Sequence, residues 1–283
     1  MSILLLGAQG QLGEALGDVL PKETLKWGRG ELDLTQIDSI APKISEAHPN
    51  VVINAAAMTD VDGCEINRAL AVKINEDAPC LLAKVCKSLN SLLVQVSTDY
   101  VFGYDETRKK PYNESDTPHA INYYGITKLE GERKIIESGC EYLILRTSGL
   151  YGKKSMGSNY SNYVEKVLTR ARSQEEIRAT TDQIYSPTYA QEFTQALISL
   201  IEQNQRGLLH LVNVGEVSRY EFTQAIIELA GLPVRVVPAL RKDFSLLAQR
   251  PSYSALTSER IELFSLMSDW KTALQNYIKE RVL

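Results

Sequence analysis

Short apolar runs alternate with longer helical patterns along the first half of the chain. The runs predict buried strands and the longer patterns predict helices, with strands at 3–6, 51–53, 92–96 and 142–145 and helices at 67–89 and 125–138. Strands that alternate with helices form a parallel sheet with helices on its faces. The pattern therefore predicts an α/β fold.

Small and polar residues follow each predicted strand, at 7–10, 54–57, 97–100 and 146–149. Because ligands of open α/β sheets bind at the carboxyl ends of the strands, these four segments should line one crevice. The alanines Ala55, Ala56 and Ala57 would let a flat cofactor lie against the backbone. Ser97 and Thr98 would place two hydroxyl groups in the same crevice, near the reactive end of such a cofactor.

The first predicted strand leads into a turn with glycine at positions 7, 10 and 13, and a helical pattern follows from Glu14 to Leu20. Gly7 permits the tight turn, Gly10 lets a pyrophosphate approach the backbone, and Gly13 lets the helix pack against the strand. Strand, turn and helix together predict a dinucleotide site in a Rossmann-like, doubly wound parallel sheet. The expected cofactor contacts in this segment are Gly7, Gln9, Gly10, Gln11 and Leu12.

A phenol and an ammonium group lie four residues apart at Tyr124 and Lys128, so on a helix they share one face. A lysine cation stabilises a neighbouring phenolate and makes proton donation by the tyrosine easier at neutral pH. Tyr123 is five residues from Lys128 and points to a different face, where we expect it to pack or to face the substrate. A Tyr-x-x-x-Lys pair is a weak motif by itself, and the glycine turn is what gives it weight.

Composition sets the broad class of the protein. The chain has 283 residues, 44% of them hydrophobic, and a formal net charge of −4, which suits one or two globular domains. We expect an NAD(P)-binding domain at 1–150 and a smaller C-terminal α/β domain, mainly for substrate binding, at 151–283. This boundary is approximate, and it leaves room for segments to interchange between the two domains.

The chain lacks the signals of several other classes of protein. No apolar run approaches the roughly 18 residues of a membrane span, and no signal peptide or basic block is present. These observations predict a cytoplasmic protein that binds neither membrane nor nucleic acid. The three histidines and four cysteines show no metal-ligand spacing and predict no metal site, the cysteines being Cys64, Cys80, Cys86 and Cys140.

Six motifs, in order along most of the chain, resemble those of the dTDP-4-dehydrorhamnose reductase family, a branch of the extended short-chain dehydrogenases/reductases. They are Asn-Ala-Ala-Ala-Met-Thr-Asp-Val-Asp at 54–62, Val-Ser-Thr-Asp-Tyr-Val-Phe at 96–102, Pro-Tyr-Asn-Glu at 111–114, Leu-Arg-Thr-Ser at 145–148, Asp-Gln with Pro-Thr at 182–188, and Arg-Pro with Ser and Leu at 250–256. The Gly-x-x-Gly-x-x-Gly spacing of the first turn is also typical of this branch.

The resemblance implies reduction by NADPH of the 4-keto group of a nucleotide-linked 6-deoxysugar, with dTDP-4-dehydrorhamnose converted to dTDP-L-rhamnose in dTDP-rhamnose biosynthesis. Tyr124 would protonate the forming alkoxide, and Thr98 would donate a hydrogen bond to the carbonyl oxygen. Lys128 would bind the nicotinamide ribose and lower the pKa of Tyr124. The implied substrate contacts are Thr98, Asp99, Val101, Phe102 and Tyr124, and the implied cofactor contacts include Ala55, Ala56, Ala57, Thr59, Ser97, Tyr124 and Lys128.

Cofactor choice depends on the residues after the second strand, at 25–30. No acid stands at the strand end, and Arg29 could pair bidentately with the 2′-phosphate of NADP, which favours NADP and leaves NAD open. Arg29 could equally be a solvated loop cation. Asp33 lies about 20 residues past Gly13, where a ribose-binding acid is found. Residues 31–35 look more like a short strand, at which the family resemblance implies an adenine contact through Asp33 and Leu34.

Three features stand out in the C-terminal part. His210 lies in an apolar strand within 207–215, and we expect it to be structural rather than a catalytic base. Ser218-x-x-Glu221 is a capping box that should begin a helix. Arg250, followed by Pro251, offers a fixed fork for the diphosphate or the sugar, with a structural salt bridge as the rival interpretation.

The chain departs from the family pattern mainly on the expected sugar side. Gly149 stands where these reductases usually have tryptophan, Tyr185 replaces a glycine, Tyr253 replaces an asparagine and Gly63 replaces a lysine. The loop at 103–110 also lacks the usual Asp-Gly. We therefore expect the redox chemistry to be kept, while the sugar and the stereochemistry of the product stay open.

Two other classes of function remain open. One is a non-catalytic NADP-binding regulatory subunit like that of methionine adenosyltransferase, which also lacks the tryptophan; Thr98 and the Arg-Thr-Ser at 146–148 favour the enzyme. The other is a nucleotide-sugar epimerase or dehydratase, which would keep NAD tightly bound. The expected partner is a nucleotide-sugar substrate, and the sequence leaves room for a homodimer.

Overall fold

Each apolar run that predicted a strand forms one in the computed structural model of the protein, which describes residues 1–153 and 162–282. The elements of the first half, in chain order, are β1 (Ile3–Leu6), α1 (Gln11–Val19), β2 (Leu25–Trp27), α2 (Ile37–Ala47), β3 (Val51–Asn54), α3 (Val61–Ile66), α4 (Arg68–Val72), α5 (Ala78–Leu89), β4 (Leu92–Thr98), α6 (Tyr123–Ser138) and β5 (Tyr142–Thr147).

The second half has shorter strands and four further helices among the described residues. Its elements are β6 (Leu150–Tyr151), α7 (Tyr163–Ala171), β7 (Glu176–Thr180), β8 (Ile184–Tyr185), β9 (Thr188–Tyr189), α8 (Ala190–Glu202), β10 (Gly207–His210), β11 (Val217–Ser218), α9 (Arg219–Leu229), β12 (Arg235–Ala239) and α10 (Trp270–Val282). The predicted capping box at Ser218 and Glu221 forms and begins α9.

The main sheet has six parallel strands in the order β2-β1-β3-β4-β5-β10. Side chains alternate between its faces, so Ile3 and Leu5 pack in the core that contains residues of α1 and α8, while Leu4 and Leu6 pack in the core that contains residues of α2 and α5. The chain changes direction across the sheet at β1, which has β2 on one side and β3 on the other. That switch point predicts a ligand crevice at the carboxyl ends of these strands.

The C-terminal part contributes to both units of the fold. Strand β10 and helix α8 belong to the main sheet and its core, although they follow residue 150. A second core joins α7, α9 and α10 with the short strands, through buried aromatic residues such as Tyr151, Tyr185 and Phe222. Segments thus cross the boundary predicted at residue 150, and the division into a cofactor and a substrate domain stays a prediction.

The helix predicted at 67–89 consists of α4 and α5 joined by a π-helical turn at Lys73–Asp77. Pro79 has no N–H to donate to the carbonyl of Asn75, four residues earlier, and the helix widens there. Gly131 of α6 packs on this carbonyl so closely that a β-carbon would overlap its oxygen. The Asn75 side chain accepts from the Met58 amide (2.9 Å) and donates to the Met58 carbonyl (3.1 Å), which holds the loop after β3.

The prediction of a short strand at 31–35 is wrong. The Asp33 carboxylate accepts from the Thr35 amide (2.9 Å), and the Asp33 carbonyl accepts from the Gln36 amide (2.9 Å), so the segment forms a turn. Local bonding by aspartate competes with strand pairing. Strand β2 is therefore the edge of the sheet.

No helix among the described residues is long and apolar enough to cross a bilayer.

Candidate active site

One pocket of about 690 Å³ lies at the carboxyl ends of β1, β3, β4 and β5. All of the residues that the sequence assigned to the cofactor line it, namely Gly7, Gln9, Gly10, Gln11, Leu12, Arg29, Asp33, Leu34, Ala55, Ala56, Ala57, Thr59, Ser97, Tyr124 and Lys128. Thr98 and Asp99, which were assigned to the substrate, line the same pocket. The four strand ends therefore meet at one crevice.

The glycine turn brings backbone segments into direct contact. Gly7 has a φ of 76°, and a β-carbon there would lie 2.7 Å from the amide nitrogen of Ala56. A β-carbon at Gly13 would overlap the carbonyl oxygen of Gly7. Gly10 is the extended cap residue of α1, so the N-terminus of this helix opens onto the pocket where a pyrophosphate would bind.

Arg29 and Asp33 lie together at the far end of the pocket. The Nε atom of Arg29 is 3.4 Å from a carboxylate oxygen of Asp33, and the Arg29 side chain is 71% exposed. The pKa of Asp33 is lowered, first by the hydrogen bond from the Thr35 amide and further by the Arg29 charge. Arg29 thus belongs to the pocket wall, with a guanidinium that solvent and a 2′-phosphate can both reach.

Helix α6 starts against the end of β4. The Asn122 side chain caps the helix by accepting from the Gly125 amide (2.8 Å). Gly125 is needed there because a β-carbon would overlap the carbonyl oxygen of Tyr100. The Tyr124 ring meets the edge of the Tyr100 ring, with centroids 5.9 Å apart. This close approach puts Tyr124 into the pocket beside Thr98.

Lys128 is almost fully buried, with 4% of its surface exposed, and it lines the pocket one helical turn after Tyr124. Its ammonium donates to the carbonyl of Val96 at 2.7 Å. Burial lowers the pKa of Lys128 to about 8, against the opposing charge of Glu132. The lysine is therefore fixed in place and close to losing its proton at neutral to mildly basic pH.

A buried ion pair supports this lysine from below. Arg146 binds Glu132 through Nη2 at 2.6 Å and through Nε at 3.0 Å. The Ser97 hydroxyl also donates a hydrogen bond to Glu132, so its proton is used within this buried group. Ser97 lines the pocket while its hydroxyl donates to Glu132, and its role beside the cofactor stays a prediction.

Thr98 and Asp99 form a small polar group at the end of β4. The Thr98 hydroxyl accepts from the Tyr100 amide (3.1 Å) and donates to the Asp99 carboxylate at 3.2 Å. Asp99 also accepts from the Ser254 hydroxyl at 2.6 Å. Burial raises the pKa of Asp99, although these hydrogen bonds and the charge of Arg219 oppose the shift.

Val101 and Phe102 do not line the pocket, and their assignment to the substrate stays a prediction from the resemblance. Both side chains are buried, with at most 1% exposed, in a small core that also contains Tyr112 and Tyr253. The Phe102 ring stacks on Tyr112 with centroids 4.1 Å apart. The apolar end of this motif anchors the strand end, so its role in the site is indirect.

Arg250 also lies outside the pocket lining. Its Nη2 atom is 3.1 Å from the Asp62 carboxylate, and Nη1 donates to the Ala248 carbonyl at 2.9 Å. Arg250 thus forms a salt bridge with Asp62, as in the alternative that the sequence analysis gave to diphosphate or sugar binding. His210 is likewise buried in the fold, with its Nδ1 atom 3.0 Å from the carbonyls of Tyr112 and Thr257.

Several pocket residues were not assigned from the sequence. Met58, Val61 and Tyr100 lie within the matched motifs but were assigned no contact, and Leu70, Ile74, Tyr163 and Arg219 lie outside every motif. Tyr163 and Arg219 are the first residues of α7 and α9, so the polar caps Asn162 and Ser218 could have pointed to them. Within 1–153 and 162–282, no cluster of histidine, cysteine and acidic residues is arranged to hold a metal ion.

A Rossmann-like sheet, a glycine turn and a Tyr-Lys pair around one pocket define an NAD(P)-dependent oxidoreductase of the short-chain dehydrogenase/reductase type. The family model described as RmlD substrate binding domain matches residues 1–282. The chain belongs to this family.

Relatives of known name agree with the family. A dTDP-4-dehydrorhamnose reductase of Mycobacterium tuberculosis (strain H37Rv) is 36% identical over 283 residues, which cover 96% of this chain and 90% of the relative. The crystal structure of such a reductase from Clostridium acetobutylicum has a TM-score of 0.92 at 34% identity and covers 100% of both chains. The reductase from Bacillus anthracis in complex with NADP has a TM-score of 0.91 at 34% identity and covers 99% of both chains. The predicted fold class and family are confirmed.

Proposed function

We propose that the protein uses NADPH to reduce the 4-keto group of a nucleotide-linked 6-deoxysugar, with dTDP-4-dehydrorhamnose as the substrate and dTDP-L-rhamnose as the product. The observation that carries the proposal is that Thr98, Tyr124 and Lys128 line the same pocket as the glycine turn. NADP is supported by the Bacillus anthracis relative, whose structure contains NADP, and by Arg29 in the pocket wall.

The pocket residues divide the work of binding and proton transfer. The N-terminus of α1 would hold the pyrophosphate, the alanines after β3 would face the adenosine and ribose, and the bound NADPH supplies the hydride. Tyr124 donates its phenolic proton to the oxygen that becomes the new hydroxyl group. The hydrogen bond from Thr98 to Asp99 is long at 3.2 Å, so a substrate carbonyl can compete for this hydroxyl.

Lys128 controls how readily Tyr124 releases its proton. Its bond to the Val96 carbonyl fixes the ammonium group and leaves its other N–H donors for the ribose and the phenol. The cation stabilises the phenolate that remains after proton transfer. The ion pair of Glu132 and Arg146 keeps a negative charge near Lys128 and favours its charged form.

The residues after 150 supply the substrate side in this proposal. Tyr163, Ala190 and Arg219 line the pocket from the C-terminal part, next to Gly149 and Leu150. Their position supports a substrate-binding role for 151–283, together with the exchange of segments at the boundary. A cytoplasmic location and a homodimer stay predictions from the sequence and its resemblance.

The test is oxidation of NADPH by a panel of dTDP-linked 4-keto-6-deoxysugars, followed by NADPH absorbance. Tyr124→Phe removes the proton donor and should lower kcat by about 10²–10⁴-fold while the Kd for NADPH is unchanged. Tyr123→Phe is the matched control, because it removes the neighbouring phenol from a different face of α6, and it should retain the wild-type rate.

Other outcomes point to the alternative functions. Full turnover by Tyr124→Phe would remove the proposed role of the phenol. NADPH binding without oxidation by any sugar would favour a non-catalytic subunit. NAD that copurifies with the protein and does not exchange would favour an epimerase or a dehydratase.

A further inference from the structure

Two departures from the family pattern meet in space. Gly149 has a φ of 51°, and a β-carbon at this position would overlap Cε2 of the Tyr185 ring. The family resemblance leads us to expect tryptophan at 149 and glycine at 185, whereas this chain has glycine at 149 and an aromatic residue, tyrosine, at 185. The ring of Tyr185 therefore fills space that a side chain at 149 would need. The two departures depend on each other, and we call this pair of changes the exchange of Gly149 and Tyr185.

The exchanged ring supports a cation. Tyr185 is buried behind Gly149, with 4% of its surface exposed, and it does not line the pocket. Arg219 does line the pocket, and its guanidinium carbon is 3.9 Å from the centroid of Tyr185 and 4.5 Å from that of Tyr163. Two aromatic rings hold the guanidinium plane and limit its freedom.

Among the described residues, no carboxylate lies within ion-pair distance of the Arg219 guanidinium, although the charge of Asp99 acts on it from farther away. Its guanidinium forms no ion pair or hydrogen bond with any residue of 1–153 or 162–282. Asp99 is the carboxylate in the same wall, but its oxygens already accept from Ser254 and Thr98. Arg219 is partly buried, and an anionic ligand group in the pocket would supply the hydrogen-bond acceptor that the described residues do not.

We propose that Arg219 is a substrate-binding residue that holds an anionic oxygen of the nucleotide sugar. A charged, planar donor then takes the place of the indole wall that the family pattern puts at 149. This inference rests on the proposed function for the class of substrate. A 6-deoxysugar carries no carboxylate, so with the proposed substrate the anionic oxygen belongs to the diphosphate, which a guanidinium binds bidentately.

The test is the equilibrium binding of dTDP to the NADPH-saturated protein by calorimetry. Arg219→Met removes the charge and should raise the Kd for dTDP about 10-fold or more, as expected for a lost hydrogen bond to a charged group. Arg219→Lys should recover part of this loss. Arg178→Met is the matched control, because Arg178 stacks on Phe244 outside the pocket with a centroid distance of 5.6 Å.

A second ligand separates the two sources of the anion. If Arg219→Met leaves dTDP binding unchanged but weakens binding of a dTDP-linked hexuronic acid about 10-fold, the partner is a sugar carboxylate and the substrate is not the 6-deoxysugar proposed above. Wild-type affinity of Arg219→Met for both ligands would overturn the proposal. The Kd for NADPH reports whether each variant is folded, and Arg219→Gln replaces the methionine variant if that one fails.

These measurements need no turnover. A protein that binds dTDP through Arg219 but oxidises no NADPH would contradict the proposed reaction and retain the proposed subsite. A protein that reduces the sugar with NADPH, but whose ligand affinities do not depend on Arg219, would support the proposed reaction and contradict the proposed subsite.

Discussion

The two sides of the pocket are built by different kinds of contact. On the cofactor side, backbone packs on backbone, with Gly7 against Ala56 and Gly13 against Gly7. On the substrate side, side chains support one another, with Arg219 held by the ring of Tyr185. A backbone contact has no substitute, whereas a side-chain contact can be replaced by a different pair. This difference explains why the chain keeps the family pattern on one side and departs from it on the other.

The largest expected effect is on the cofactor side. Gly13→Ala places a methyl group on the Gly7 carbonyl and 2.8 Å from Cα of Ala8, so the helix and the turn must separate. We expect a loss of about 3 kcal/mol in the free energy of unfolding and about 100-fold weaker NADPH binding. Thermal unfolding and calorimetry measure the two quantities.

Gly17→Ala is the matched control for this prediction. It lies on the same helix, where the atoms nearest to a β-carbon would belong to the flexible Lys26 side chain, at 3.6 Å or more. It should be neutral or stabilise the protein by up to about 1 kcal/mol, because alanine favours helix. Equal effects of the two variants would contradict the contrast between the two sides.

An intermediate effect is expected on the substrate side, and it should depend on the partner. Gly149→Ala should lower the free energy of unfolding by about 1–3 kcal/mol, because the new methyl group meets the Tyr185 ring. In a Tyr185→Ala background the same change should cost less, since the ring is gone. A double-mutant cycle measures this coupling.

The control for the cycle is Gly231→Ala. Gly231 has a φ of 61°, close to that of Gly149, but a β-carbon there would meet nothing within 4 Å. Its cost therefore reports backbone strain alone and should not change with Tyr185→Ala. If Gly149→Ala lowers the free energy of unfolding equally with and without the Tyr185 ring, the two positions are not coupled and the exchange of Gly149 and Tyr185 is disproved.

The smallest effect concerns Lys128, which serves both sides. The charged form is the one that assists Tyr124, and burial lowers its pKa to about 8. Because the proton is lost as pH rises through this value, kcat/KM should fall above about pH 8, approaching tenfold per unit. Lys128→Arg keeps its charge and should show no such fall, whatever its absolute rate. If kcat/KM of the wild-type protein does not fall at basic pH, the role assigned to the charged form of Lys128 is contradicted.

The sequence predicted the sheet and the glycine turn because their signals are local. It placed the end of β4 too early, at residue 96, because Ser97 and Thr98 are polar. They still pair with Arg146 and Thr147 of β5, since the Ser97 hydroxyl is satisfied by Glu132. Polar residues at a buried strand end are compatible with the sheet only when distant partners bind them, and the pattern of apolar residues does not show such partners.

The substrate side was harder to predict for the same reason. Gly149 and Tyr185 were recognised as departures, but their contact joins residues far apart in sequence. Arg219 has no motif, and its place in the pocket follows from the start of α9 and from the ring of Tyr185. Val101 and Phe102 were assigned by resemblance to a motif whose apolar end turns into the core.

The contact of Gly149 with Tyr185 also constrains how this pocket could arise by single substitutions. A tyrosine at 185 does not fit while position 149 carries a side chain, so the substitution to glycine at 149 must precede the substitution to tyrosine at 185. Between the two steps the pocket has lost the aromatic group at 149, and Arg219 has not yet gained the supporting ring of Tyr185. A lineage that passes through this stage needs a reserve of stability, or another ligand contact, to keep its enzyme folded and working.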